Sequence, residues 1–103
     1  MRLTDLKTQE QVLRESLQNP VFRREWERTA LARAVATRLV GYRAEHGLSQ
    51  SALARKLGMQ QPAIARLEAG DYNPSLETLW RLSRGLTITF HIDISPDAVD
   101  LTV

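Results

Sequence analysis

Gln60, Gln61 and Arg66 are the side chains of this sequence best suited to chemical recognition. A glutamine amide holds a donor and an acceptor side by side, and a guanidinium holds a fork of donors. Those patterns match the major-groove edges of adenine and guanine respectively. Their neighbours Pro62, Ala65 and Ala69 are small, which lets a bulky ligand come close. Gln50 and Ser49, ten and eleven residues before Gln60, add a further amide and a hydroxyl. Reaction chemistry is poorly provided for, and the reading is of a non-enzyme without catalytic residues or cofactors. No Ser/His/Asp set, phosphate loop or paired carboxylates in an apolar setting is present. The sequence has no cysteine, and His46 and His91 lie too far apart to form an HxxxH-type site, so no metal is expected.

Two short helices about a tight turn would position these groups. Ser49 suits an N-cap, since its hydroxyl can accept an otherwise orphaned backbone N–H. Leu53 and Leu57 fall on one face of the helix that follows, with Arg55 and Lys56 outward. Gly58 stands where the chain must turn left-handed, a conformation open to glycine. Gln60-Gln61-Pro62 then opens a second helix, where proline is tolerated because a first-turn N–H lacks a partner anyway. Ile64, Leu67 and Glu68 face inward, leaving Gln61, Pro62, Ala65, Arg66 and Ala69 outside. This is the pattern of a helix-turn-helix that presents recognition groups from the start of its second helix.

Residues 38–86 resemble the Cro/C1-type (Xre) family of helix-turn-helix domains. The resemblance rests on Arg43, Gly47-Leu48-Ser49-Gln50, Leu53-Ala54, Gly58, Gln60 to Arg66, Leu67-Glu68-Ala69-Gly70 and Pro74-Ser75. It implies that Gln50 contacts a phosphate and that Gln60, Gln61 and Arg66 face bases of a double-stranded operator. It further implies a buried ion pair between Arg43 and Glu68, which fixes geometry rather than doing chemistry. The DNA-facing set is thus Ser49, Gln50, Gln60, Gln61, Pro62, Ala65 and Arg66. The Asp71-Tyr72-Asn73 loop departs from the family, where basic residues are common, so weak phosphate contacts are expected from it.

The rest of the chain supplies flanking elements. Its 103 residues and 43% hydrophobic content suit one modest core. The net charge is only +2, but the last nineteen residues carry Asp93, Asp97 and Asp100 with no Lys or Arg, so the basic excess lies upstream. No apolar run reaches the roughly 18 residues of a membrane span, and a cytoplasmic, bacterial setting without membrane contact is expected. Thr8 and Gln11 fit a capping box, opening a short helix with an apolar stripe of Leu13 and Leu17, preceded by Leu6. Asn19-Pro20 restarts the chain, and one long helix is expected from Pro20 to His46. Ser75 should cap a further helix that Gly85 ends. Thr87 to Ile94 alternates strictly, with Ile88, Phe90, Ile92 and Ile94 on one face. A lone strand leaves backbone groups unpaired, so a second copy is expected to pair with it through Ile88, Phe90 and Ile92; the alternative is a strand that lies against the helices with water on its edges.

The expected fold is therefore mostly α: a Cro/C1-type bundle with an N-terminal helical extension and one C-terminal strand pairing across a dimer. The divisions are 1–30, 31–86 and 87–103. Leu13, Leu17, Phe22 and Trp26 form an apolar surface that either completes the core or docks another protein. A short Xre-type domain preceded by a helical segment with Asn19-Pro20-Val21-Phe22 and followed by an alternating strand resembles, over almost the whole chain, HigA-type antitoxins of toxin–antitoxin pairs. That resemblance implies a RelE/HigB-like ribonuclease toxin docked on those four side chains. Glu10, Glu15, Glu25 and Glu27 would steer the encounter, and the homodimer would repress its own operon. The alternative is a stand-alone Xre-type repressor without a toxin partner.

Overall fold

A computed structural model describes residues 7–102; Leu6 lies outside the described residues. Six helices precede a β-hairpin: α1 (Gln9–Ser16), α2 (Pro20–Arg28), α3 (Ala30–His46), α4 (Gln50–Leu57), α5 (Gln61–Ala69), α6 (Leu76–Leu86), β1 (His91–Ile94) and β2 (Val99–Thr102). The fold is mostly helical and contains the helix-turn-helix, with helices ahead of it.

Local sequence sets most helix ends. Thr8 and Gln11 close the capping box on α1. The Ser49 hydroxyl accepts the Ala52 N–H at 3.0 Å to start α4, and Ser75 does the same for α6 through Thr78. Gly58 takes a left-handed φ of 66° between α4 and α5. The core lies where α3, α4, α5 and α6 meet, around Val35, Leu39, Leu53, Ile64 and Leu82.

Three elements differ from expectation. The expected long helix from Pro20 to His46 is two helices, broken at Thr29, whose φ and ψ are −101° and 17°. The Thr29 hydroxyl donates to the Glu25 carbonyl at 2.9 Å and accepts from Arg33 Nη1 at 2.8 Å, so it does not cap α3. Asn73, from the loop after α5, fills that role. Its Oδ1 accepts the Ala32 N–H at 3.1 Å and its Nδ2 donates to the Arg28 carbonyl at 2.8 Å. One side chain thus closes the end of α2 and the start of α3.

Gly85 does not end α6. The helix continues to Leu86, and Thr87 takes the left-handed turn at φ 55°. Gly85 serves close packing instead, because a Cβ there would run into the Leu57 side chain of α4. The expectation of a lone strand is also corrected. Within this chain β1 pairs with β2, antiparallel, with Ile92 opposite Leu101 and Asp93 opposite Asp100. A turn from Ser95 to Ala98 joins them, closed by the Ser95 N–H to the Ala98 carbonyl at 2.9 Å. Ile88, Phe90 and Ile92 pack, half-buried, against the chain's own core, while Ile94 of the same alternating face stays 78% exposed.

Candidate nucleic-acid interface

α4 and α5 pack against each other and against the core through Leu53, Ala54, Leu57, Ile64 and Leu67. That packing turns the opposite side of α5 outward. Gln60, Gln61, Pro62, Arg66 and Ala69 are exposed and Ala65 is half-buried, giving one contiguous face that starts at the helix N-terminus. All seven residues expected to face DNA therefore lie on α4, α5 or their N-caps.

A relay of hydrogen bonds runs from the core to this face. Arg43 of α3 grips Glu68 of α5 with two bonds, Nη2 to Oε1 at 2.6 Å and Nε to Oε2 at 2.8 Å. The Glu68 side chain is 7% exposed and that of Arg43 24%, so the pair is only partly shielded from water. Hydrogen bonding to Glu68 raises the Arg43 guanidinium above its ordinary pKa, against the opposing effect of desolvation. Glu68 Oε1 also accepts from Gln50 Nε2 at 3.4 Å. Gln50 Oε1 in turn accepts from Gln61 Nε2 at 2.8 Å.

This order fixes the amides. Gln61 spends one N–H on Gln50 and keeps one N–H and its carbonyl. One donor beside one acceptor is what an adenine N7/N6 edge requires. Gln50 lies on the first turn of α4, with an N–H left over where the positive end of a helix favours an anion. Arg66 is steadied differently: its guanidinium carbon lies 4.7 Å from the centroid of the Tyr72 ring. That contact orients the fork while leaving its donors exposed. The sequence reading missed Tyr72; the available signal was an aromatic in a polar loop two residues after Gly70.

The N-terminal set is less coherent. Leu13 and Phe22 line one groove with Val12 and Ser16. Trp26 turns toward α3, where the Arg33 guanidinium carbon sits 3.4 Å from its ring centroid, and desolvation lowers the Arg33 pKa. Phe22 stacks on Trp26 at 6.2 Å and stays 40% exposed. Leu17 is half-buried, and neither α1 nor α2 contains a buried residue. The four acids expected to steer a partner are paired within the segment: Glu10 with Arg14, Glu15 with Lys7, Glu25 with Arg28 and Glu27 with Arg23. Each pair offsets a charge, so these four acids add no net acidic field among the described residues of this segment.

Comparison with known proteins bears on the central segment. The helix-turn-helix family HTH_3 matches residues 41–91. The Escherichia coli (strain K12) HTH-type transcriptional regulator SutR is 35% identical over 66 residues, 64% of this chain and 37% of SutR. An uncharacterized HTH-type transcriptional regulator of Archaeoglobus fulgidus is 42% identical over 48 residues, 47% of this chain and 69% of its own length. The crystal structure of an HTH_3 family transcriptional regulator from Vibrio cholerae superposes with a TM-score of 0.54 at 28% identity, covering 59% of this chain and 34% of that one. The match thus spans little more than a third of SutR and of the Vibrio cholerae protein.

Proposed function

This chain belongs to the HTH_3 helix-turn-helix family, and we propose that it is a non-enzymatic transcriptional regulator that reads double-stranded DNA with α5. The observation carrying this reading is the Gln50–Gln61 bond, which holds a recognition amide in one orientation on an exposed helix face. Side chains on a plain solvated face gain little from such fixing, whereas base reading depends on it. Phosphate contacts from Gln50 would set register, and Gln61 and Arg66 would select bases. The test is selection from a random DNA pool with the full chain. A defined motif should emerge, and Gln61→Ala and Arg66→Ala should each blur a different position within it. Recovery of unselected sequences at every salt concentration would refute base reading.

The N-terminal helices favour a second layer to this function. An apolar groove of Val12, Leu13 and Phe22 on helices with no buried residue is poor use of apolar surface in an isolated domain. Together with the HigA-type resemblance, it supports docking of a RelE-like toxin there and repression of a shared operon. Co-purification with the product of the adjacent gene tests this. A neighbouring product that is unrelated to such toxins, or that fails to bind, leaves the stand-alone repressor.

A further inference from the structure

The outward face of α5 is polar at its start and hollow toward its end. Ala65 and Ala69, one turn apart, leave an open depression beside Arg66, and the following loop closes it with Asp71 and Tyr72. The depression measures about 350 Å³. Its walls include the two alanine methyls, the Tyr72 ring and the Arg66 guanidinium, whose carbon stands 4.7 Å from the ring centroid. Tyr72 is half-buried and packs against the core, so that wall is held in place rather than swinging in solvent. Longer side chains at positions 65 and 69 would fill the space.

The ligand follows from what the major groove offers. Base edges there present acceptors, amino donors and one apolar group, the C5 methyl of thymine. Cytosine carries the same group only when it is methylated. A depression with apolar walls, on the face that bears Gln61 and Arg66, gains by taking up an apolar group and releasing its water. A backbone phosphate is unsuited, because Asp71, exposed, brings a carboxylate to the same depression. We propose that this depression receives the C5 methyl of a pyrimidine, thymine or 5-methylcytosine, on a base pair adjoining the guanine that Arg66 reads. Ala65 and Arg66 are consecutive, and their rise of ~1.5 Å along the helix is less than one base step of ~3.4 Å, which keeps their targets on neighbouring pairs. The assignment rests on base reading by α5 and names a second feature that α5 reads.

The test uses the full chain and operators from random-pool selection, with the position blurred by Arg66→Ala marking the guanine. An adjoining pair should be A·T. Replacing its thymine with deoxyuridine removes the methyl and no hydrogen-bonding group, and should weaken binding about four-fold, as one buried carbon unit implies. At the same place 5-methylcytosine should bind more tightly than cytosine by a similar factor, and the order of thymine and 5-methylcytosine tells which base is the natural occupant. Ala69→Leu, at an exposed position, should fill the depression and remove the difference between the thymine and deoxyuridine operators. Equal binding of those two operators by the wild-type chain overturns the proposal while leaving base reading intact, because the Arg66-dependent position remains. Neighbours that are G·C on both sides and indifferent to cytosine methylation overturn it as well. A thymine preference that survives Ala69→Leu overturns the depression as the receptor. A chain that selects no motif at all overturns the base reading beneath it.

Discussion

Replacing Asn73 with alanine removes the side chain that closes the α2–α3 junction, and the structure sets the size of the effect. Two hydrogen bonds disappear, of unequal weight. The Arg28 carbonyl lies at an exposed position where water can replace the amide, so that loss is small. Ala32, however, is 1% exposed. Its N–H at 3.1 Å from Asn73 Oδ1 would be left buried without an acceptor. An unsatisfied buried donor costs about 1–3 kcal/mol, so Asn73→Ala should destabilise the fold by about 2 kcal/mol. For a domain of this size that lowers the melting temperature by roughly 8–16 °C. Asn73→Asp keeps the acceptor and places a negative charge near the N-terminus of α3, so its loss should stay below about 1 kcal/mol. Thermal melts followed by circular dichroism would rank the variants, and amide exchange at Ala32 would localise the change. Equal melting temperatures for the two variants, or an Ala32 amide still protected in Asn73→Ala, would refute this account of the junction.

Arg66→Ala should weaken operator binding by ~1–3 kcal/mol and relax preference at one base pair, measured by fluorescence anisotropy against a panel of substituted sites. Tyr72→Leu should relax the same position more mildly, because it frees the Arg66 fork without removing it; a loss at a different position would separate the two residues. Gly85→Ala should cost about 1–3 kcal/mol by driving a methyl into Leu57, visible as a lower denaturant midpoint, and an unchanged midpoint would mean that α4 and α6 can part freely. Phe22→Ala should abolish capture of the adjacent gene product while the melting temperature barely moves, because Phe22 is exposed in its groove. Trp26→Ala should lower the melting temperature as well, since Trp26 supports Arg33 of α3.

The helix-turn-helix was legible in the sequence because its rules are local. Ser49, Gly58, Gln60 and Ser75 sit at helix ends where capping and backbone conformation depend on residues a few positions away. The outward placement of Gln61 and Arg66 followed from helical period alone. Features that depend on contacts between distant segments were not legible. Thr29 breaks what reads as one alanine-rich helix, and the side chain that satisfies the break, Asn73, lies 41 residues from Ala32. Gly85 reads as a helix stop, but proximity to Leu57 explains it, and that is a property of how α4 and α6 pack. Val99 to Thr102 is too short to announce itself as a strand until Ser95–Ala98 folds it back on β1. The types of Gln60, Gln61 and Arg66 raised the expectation of base reading; which amide N–H is spent and which is left free depended on Gln50 and Gln61, eleven residues apart, being brought to 2.8 Å. Sequence determined the helices and the faces they present, because caps and periodicity act within a turn or two. Tertiary packing decided orientation and pairing, since hydrogen-bond partners and close approaches exist only once distant segments share the same space.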